Sequence, residues 1–257
     1  MNDSKFKIAV YYIATGNYKS LFPEFLESVH NLFPEQKKIV KLISDGLEEY
    51  SNYEKGNVKV DLCPRINDYP WPIVALYKMW HILENFDTSC EYSCYFNGNS
   101  IIFPHSLDAL DLNKLSVSYH SFNSKSKPYN PWTYININPN SCSYLKNETY
   151  EYIQSGFFFG PSNIIYQMCN EVNEMVRDDA KRYIFAQWHD ESYLNKWCVL
   201  HSELVDKKYI MTVYKDDVDL YRFVYLRNKL NYSIDKRTMW IVLFNIKTRI
   251  MVIRVYF

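Results

Sequence analysis

Strand-like and helix-like segments alternate through the first hundred residues, and this order constrains the fold more than any other feature of the chain. Ile8–Ile13 is a continuous apolar run of strand length, closed by Ala14-Thr15-Gly16. Phe22, Phe25, Leu26, Val29 and Phe33 follow at helical spacing, so a helix is expected there. Lys38–Ser44 reads as a second strand, stopped by Asp45-Gly46, and Val58–Leu62 as a third. Pro72 suits the first turn of a helix running to about Phe86, with Leu76, Met79, Trp80 and Leu83 on its stripe. Tyr92–Phe96 is a fourth strand, leading to Asn97. Such alternation predicts an α/β fold with a central, mostly parallel sheet. Ligands of these sheets collect beyond the carboxyl ends of the strands, where Ile13–Tyr18, Ser44-Asp45 and Asn97–Asn99 all fall.

Farther along, Leu115–His120 and Trp132–Ile137 look extended, Ser162–Val176 helical, and Glu191–Trp197 a short helix. No internal repeat, Ser/Gly linker or break in composition divides the chain, so residues 1–237 are expected to form one domain. Residues 238–257 differ: they are apolar, interrupted by Lys247, Arg249 and Arg254. That is too interrupted for a spanning helix. An added strand or a frayed extension is the first expectation there, and a peripheral membrane contact the second.

The 29 basic and 29 acidic residues cancel, so no global field recruits nucleic acid, and an anion has to be held by a local cluster. Six cysteines lack paired C-x-x-C spacing, and Cys90 and Cys94 have no second pair to complete a zinc site, which points to reduced, packed thiols. The start of the chain is polar and runs straight into a strand, with neither signal peptide nor anchor, so a cytoplasmic location is expected. Aromatic residues reach 18%, which suits a carbohydrate cleft because sugar C–H faces pack on rings; it suits an ordinary core equally well.

Two short runs carry chemistry. Trp188-His189-Asp190-Glu191-Ser192 sets an indole, an imidazole and two carboxylates side by side. The rings can stack on and hydrogen-bond to a sugar, and a carboxylate can face the positive charge that develops at a sugar carbon. Asn97-Gly98-Asn99 ends an apolar strand where nucleotide-sugar enzymes often carry Asp-x-Asp to hold a metal, and here both acids are amides. Glu191 is the candidate for the central carboxylate: as an electrostatic partner of the oxocarbenium-like transition state, as a covalent nucleophile, or as an orienter of the acceptor. Its plain structural alternative is a cap on the helix that begins there, and Asp190 shares that alternative.

These runs, in this order, resemble the family 6 glycosyltransferases, and the N-x-N form resembles that family's bacterial branch. Other segments extend the resemblance from about Lys7 to about Lys229. Ile13-Ala14-Thr15 with Tyr18 matches the segment that holds the nucleoside, Ile43-Ser44-Asp45 a following strand end, and Trp71-Pro72 a bacterial W-P segment. Lys78 falls where relatives have an Arg near the donor. Ser155-Gly156-Phe157-Phe158 with Gly160 matches a G-G-F-F-G-G segment imperfectly, and Trp188–Lys196 matches best of all. His120 matches the His of an H-P-G segment, and Thr133-Tyr134 an acceptor-side T-Y whose usual E-R-R continuation is Ile135-Asn136-Ile137 here.

The resemblance implies a single GT-A type domain and a UDP-hexose donor, UDP-GalNAc or UDP-Gal. Transfer would go to the 3-hydroxyl of a terminal β-galactoside, fucosylated or not, or of a lipid-linked surface glycan, with retention of the α configuration. It places Ile13, Ala14, Thr15, Tyr18, Asp45, Asn97, Asn99, Asp190 and Gln154–Gly156 around the donor. His120, Thr133, Trp188 and His189 go to the acceptor. Gly156 leaves space that an N-acetyl group could use, which tips the expectation toward UDP-GalNAc.

Two neutral amides bind a hard divalent cation poorly, so no metal cofactor is expected. Positive charge for the diphosphate then has to come from side chains, with Lys78, Arg222, Arg227 and Lys229 as candidates. The alternatives are a galactosyltransferase of the same fold, and a glycan- or nucleotide-binding protein on a transferase scaffold.

Overall fold

A computed structural model of the chain describes residues 7–67, 69, 71–102, 110–119, 138–146, 152–186, 188–210, 224–226, 238–245 and 249–256. Strand β1 (Lys7–Ala14) runs through the middle of the sheet and is buried along its length except at Lys7. The chain continues through α1 (Phe22–Val29), β2 (Lys37–Ser44), β3 (Glu54–Lys55) and β4 (Val58–Leu62). Next come α2 (Trp71–Leu76), α3 (Lys78–Glu84), β5 (Tyr92–Phe96), β6 (Ser100–Ile102) and β7 (Leu115–Tyr119). The second half holds β8 (Ile153–Pro161), α4 (Ser162–Lys181), α5 (His189–Leu200), β9 (Val205–Ile210) and β10 (Val224–Leu226). Finally β11 (Thr238–Asn245) and β12 (Arg249–Tyr256) pair with each other as an antiparallel hairpin.

Eight strands form one sheet in the order β3-β4-β2-β1-β5-β8-β7-β9. The pairings β4–β2, β2–β1, β1–β5 and β7–β9 are parallel; those flanking β8, and β3–β4, are antiparallel. The mostly parallel, mixed α/β sheet expected from the alternation is therefore present. β1 reads as a continuous apolar run because both its faces are covered. Ile8, Val10, Tyr12 and Ala14 pack with Phe22, Phe25, Leu26 and Val29 of α1. Ala9, Tyr11 and Ile13 face the other way, toward Met79 and Ile82 of α3, Met168 and Val172 of α4, and Leu194 and Trp197 of α5.

Several boundaries differ from expectation, each for a local reason. The first helix stops at Val29 rather than running to Phe33. Phe33 precedes Pro34, which disfavours helical backbone, and adopts a left-handed φ of 41°. The ring stays buried against Phe159, and Lys38 Nζ bonds the carbonyls of Leu32 and Phe33 at 2.8 and 3.1 Å. Burial lowers the Lys38 ammonium to about 8, with the Glu35 carboxylate opposing the shift. The Pro72 helix is split at Tyr77 into α2 and α3. Trp80, placed on the stripe by spacing, is instead 41% exposed, while Lys78, Met79, His81 and Ile82 turn inward. α4 extends past Val176 to Lys181, and α5 begins two residues before Glu191. The segment Trp132–Ile137 lies outside the described residues.

All six cysteines are free, and five of them are buried. Burial pushes the Cys63 thiol up to about 12 and the Cys90 thiol to about 11, as expected of packed rather than reactive groups. No helix among the described residues is long and apolar enough to cross a membrane.

Candidate active site

The carboxyl ends of β1, β2 and β5 lie side by side, with Ala14 opposite Ser44 and Tyr12 opposite Phe96. The segments that follow these strands build one wall of the site. Asp45 accepts from Gly16 N–H at 3.2 Å and from Lys19 Nζ at 3.2 Å, tying the turn after β2 to the turn after β1. Tyr12 donates its hydroxyl to the Gly98 carbonyl at 2.6 Å. The ring of Tyr18 packs close against the same glycine: a Cβ added at Gly98 would sit 2.7 Å from Tyr18 Cδ1. Glycine is thus required by proximity, since any side chain would push the ring away. On the expectation that Tyr18 lines the nucleoside site, Gly98→Ala, by displacing Tyr18, weakens UDP binding about tenfold, about 1.4 kcal/mol, at the lower end of the roughly 1–3 kcal/mol that overpacking costs. Calorimetric titration with UDP measures this, and an unchanged affinity would remove Tyr18 from the nucleoside wall.

β8 supplies the opposite wall through an irregularity. Val117 of β7 pairs with Phe158, but the next residue, Ser118, pairs with Gln154. Ser155, Gly156 and Phe157 therefore have no counterpart on β7, and the strand bulges there, a device that re-aims backbone beside sites. Buried backbone groups released from a ladder need other partners. Here four residues from three other places provide them. Ser155 N–H donates to Glu191 Oε2 at 3.0 Å, and the Ser155 carbonyl accepts from Lys78 Nζ at 2.8 Å. Gly156 O accepts from Asn97 N–H at 2.8 Å, while the Asn195 carboxamide holds both Ile153 N–H and Ile153 O, each at 2.8 Å.

Lys78 and Asp190 form the charged floor beneath this bulge. Lys78 Nζ lies 2.6 Å from Asp190 Oδ2, with both side chains buried. The same ammonium donates to Ser155 Oγ at 3.1 Å and sits 4.6 Å from the centre of the Tyr95 ring. Its two hydrogen bonds thus go to Ser155, and its charge is balanced by Asp190. Lys78 belongs to the site, as a fixed cation serving the bulge and Asp190.

Glu191 is half-buried in the first turn of α5, where the helix N-terminus favours an anion. Burial pushes its carboxyl above the ordinary range; the Tyr152 side chain and the Ser155 amide oppose that shift, Asp190 adds to it and Lys78 subtracts. His189 takes a left-handed φ of 48°, and burial lowers its imidazole, which is therefore neutral at pH 7. Trp188 is half-buried at the start of the helix, and its indole N–H makes no hydrogen bond among the described residues.

The sequence candidates Ile13, Ala14, Thr15, Tyr18, Asp45, Lys78, Asn97, Asn99, Gln154, Ser155, Gly156 and Trp188–Glu191 are gathered at this end of the sheet by the pairings and bonds above. His120, Thr133, Arg222, Arg227 and Lys229 lie outside the described residues. The chain leading to Arg227 is placed, however: β10 pairs antiparallel with β6, setting Leu226 opposite Ser100, next to Asn99.

As donors for a divalent ion, Asn97 and Asn99 are poor. Both offer neutral amides, Asn97 Oδ1 already accepts the Tyr95 hydroxyl at 3.3 Å, and Asp190 is engaged by Lys78. No group of three or more His, Cys, Asp or Glu suited to a metal occurs among the described residues.

Three residues that hold this geometry were not singled out from the sequence: Tyr95, Tyr152 and Asn195. Only Asn195 left a signal, standing one helical turn after Glu191.

The family model described as Glycosyltransferase family 6 matches residues 71–242, about two-thirds of the chain. The chain belongs to glycosyltransferase family 6. The match takes in Lys78, the Asn97–Asn99 turn, the β8 bulge and the start of α5. Among curated proteins, the O-antigen biosynthesis glycosyltransferase WbnI of Escherichia coli is 26% identical over 208 residues, covering 77% of this chain and 84% of that protein. The histo-blood group ABO system transferase 1 of Rattus norvegicus is 28% identical over 95 residues, 37% of this chain and 26% of that protein. The mixed α/β sheet is that of a single GT-A-like domain, as family 6 membership leads one to expect.

Proposed function

We propose that this family 6 transferase moves GalNAc or Gal from its UDP derivative to the 3-hydroxyl of a terminal β-galactoside, retaining the α configuration and using no metal ion. The observation that carries the reading is the Glu191 carboxylate, fixed by the Ser155 amide at the ligand-collecting end of the sheet. A held anion there stabilises the oxocarbenium-like charge at the anomeric carbon without reorganising during the reaction. Tyr18, Asp45 and the Asn97–Asn99 turn form the donor wall. Trp188 and His189 offer a ring and hydrogen-bonding groups to the acceptor. The absence of a side chain at Gly156 favours UDP-GalNAc over UDP-Gal.

The metal-free part of the reading rests on donor chemistry at Asn97 and Asn99. Balancing charge for the diphosphate is assigned to Arg227 and Lys229. The pairing of Leu226, the residue before Arg227 in sequence, with Ser100 supports this assignment, because Ser100 follows the Asn97–Asn99 turn. Lys78 is spoken for by Asp190. The WbnI relative is described by its role in O-antigen biosynthesis, and a surface glycan of that kind is the proposed acceptor class here.

Transfer is expected to persist in EDTA at the rate seen with added manganese. A screen of UDP-Gal, UDP-GalNAc, UDP-Glc and UDP-GlcNAc against lactose and fucosylated lactose, in EDTA, tests both donor and acceptor, with product linkage assigned by NMR. Activity abolished by the chelator and restored by manganese would refute the metal-free reading. UDP binding with neither transfer nor donor hydrolysis would instead identify a binding protein.

A further inference from the structure

The side chain of Asn195 is 1% exposed and makes three hydrogen bonds. Its Oδ1 accepts from Ile153 N–H at 2.8 Å, and its Nδ2 donates to the carbonyls of Ile153 and Glu191, each at 2.8 Å. Toward Ile153 this is the paired donor and acceptor that a neighbouring strand presents. β5 supplies such a neighbour as far as Phe96, opposite Phe157, and the following Asn97 adds one bond to Gly156 O. Beyond that point the carboxamide takes the strand's place.

The spacing of the two elements makes this contact informative. Glu191 and Asn195 are four residues apart on α5, about 6 Å of helical rise. Ser155 and Ile153 are two residues apart on β8, about 6.6 Å of strand. The two repeats nearly coincide, so consecutive turns of the helix meet consecutive same-side positions of the strand, in opposite chain directions. Asn195 engages Ile153, and Glu191 engages Ser155. A slip of the helix by even a fraction of a turn would break both.

We propose that Asn195 is a positioning residue for the transfer, setting the height of α5 against β8 so that the Glu191 carboxylate is held at the Ser155 amide. The proposal rests on Glu191 being the carboxylate that carries the reaction. Only a primary amide of this length meets the requirement. Aspartate has no N–H for the two carbonyls and would add a charge one helical turn from Glu191. Leucine fills the space but offers neither donor nor acceptor, leaving the Ile153 peptide unsatisfied.

The test compares wild type, Asn195→Asp, Asn195→Gln and Glu191→Gln, and combines each Asn195 change with Glu191→Gln. Turnover and KM are measured with UDP-Gal and UDP-GalNAc on lactose, UDP affinity by calorimetry, and folding by thermal melting. Asn195→Asp is expected to lower kcat about 10- to 100-fold per folded molecule, with UDP affinity within about twofold of wild type. In the Glu191→Gln background the same change should cost little more, because its effect passes through that carboxylate. Asn195→Gln keeps both hydrogen-bonding groups on a longer arm; it should melt near wild type yet still lose kcat, and it serves should Asn195→Asp not fold.

Unchanged kcat in a variant whose melting temperature drops would reduce Asn195 to a structural role and overturn the proposal. Equal fractional losses in both backgrounds would overturn it as well. A Glu191→Gln enzyme with full turnover would remove the underlying reading instead, and a wild type silent with both donors would remove reading and proposal together.

Discussion

Replacing Glu191 with glutamine is expected to lower turnover by about 10³-fold while UDP binds as before. The amide keeps an oxygen for Ser155 N–H, so the bond at 3.0 Å and the bulge it supports can survive. What is lost is the negative charge. The wild-type enzyme should also show an acid limb. Burial raises the Glu191 carboxyl above its ordinary 4.5, so the group protonates, and turnover falls, at a pH higher than that value. The residual activity of Glu191→Gln should lack this limb. Rates measured from pH 4 to 8 check both statements; a variant with wild-type kcat would end the assignment of Glu191.

The second large effect is on stability. Lys78→Met strands the Asp190 carboxylate, buried and without its partner at 2.6 Å. Removing one member of a buried pair costs about 3–5 kcal/mol, because the surviving charge is left uncompensated. Urea unfolding at pH 7 measures the loss. Lys78 also lowers the Glu191 carboxyl, so in any active Lys78→Met enzyme the acid limb should move to higher pH. The double variant Lys78→Met with Asp190→Asn, which buries no lone charge, should recover much of the stability. A Lys78→Met protein as stable as wild type would show that the pair is not closed in solution.

The sheet was legible because its strands are short, apolar and well bounded. Tyr92–Phe96 and Val58–Leu62 are observed with the expected ends, since the residues that stop them are turn formers. β8 was harder to read. Ile153–Pro161 lacks the alternation that marks a half-buried strand, for both of its faces are covered and three consecutive phenylalanines lie within it. The helix break at Tyr77 and the outward turn of Trp80 are tertiary effects: packing of Lys78 onto Asp190 and Ser155 sets the phase of α3, and hydrophobic spacing alone has no term for a buried lysine. In the site, residue types carried the chemistry of Glu191 and the Asn97–Asn99 turn. The partners did not show, because Asn195 reaches Ile153, 42 residues away, and Tyr152 reaches Glu191 on a separate element.

The bulge in β8 separates two kinds of heritable change. Its backbone is held by Lys78, Asn97, Glu191 and Asn195, all from other elements, and the Gln154 side chain takes no part in these bonds. On the proposed donor role of Gln154 and Gly156, such a site can drift between donor sugars one substitution at a time while its frame stays bonded, whereas changes at 78, 191 or 195 touch the frame itself.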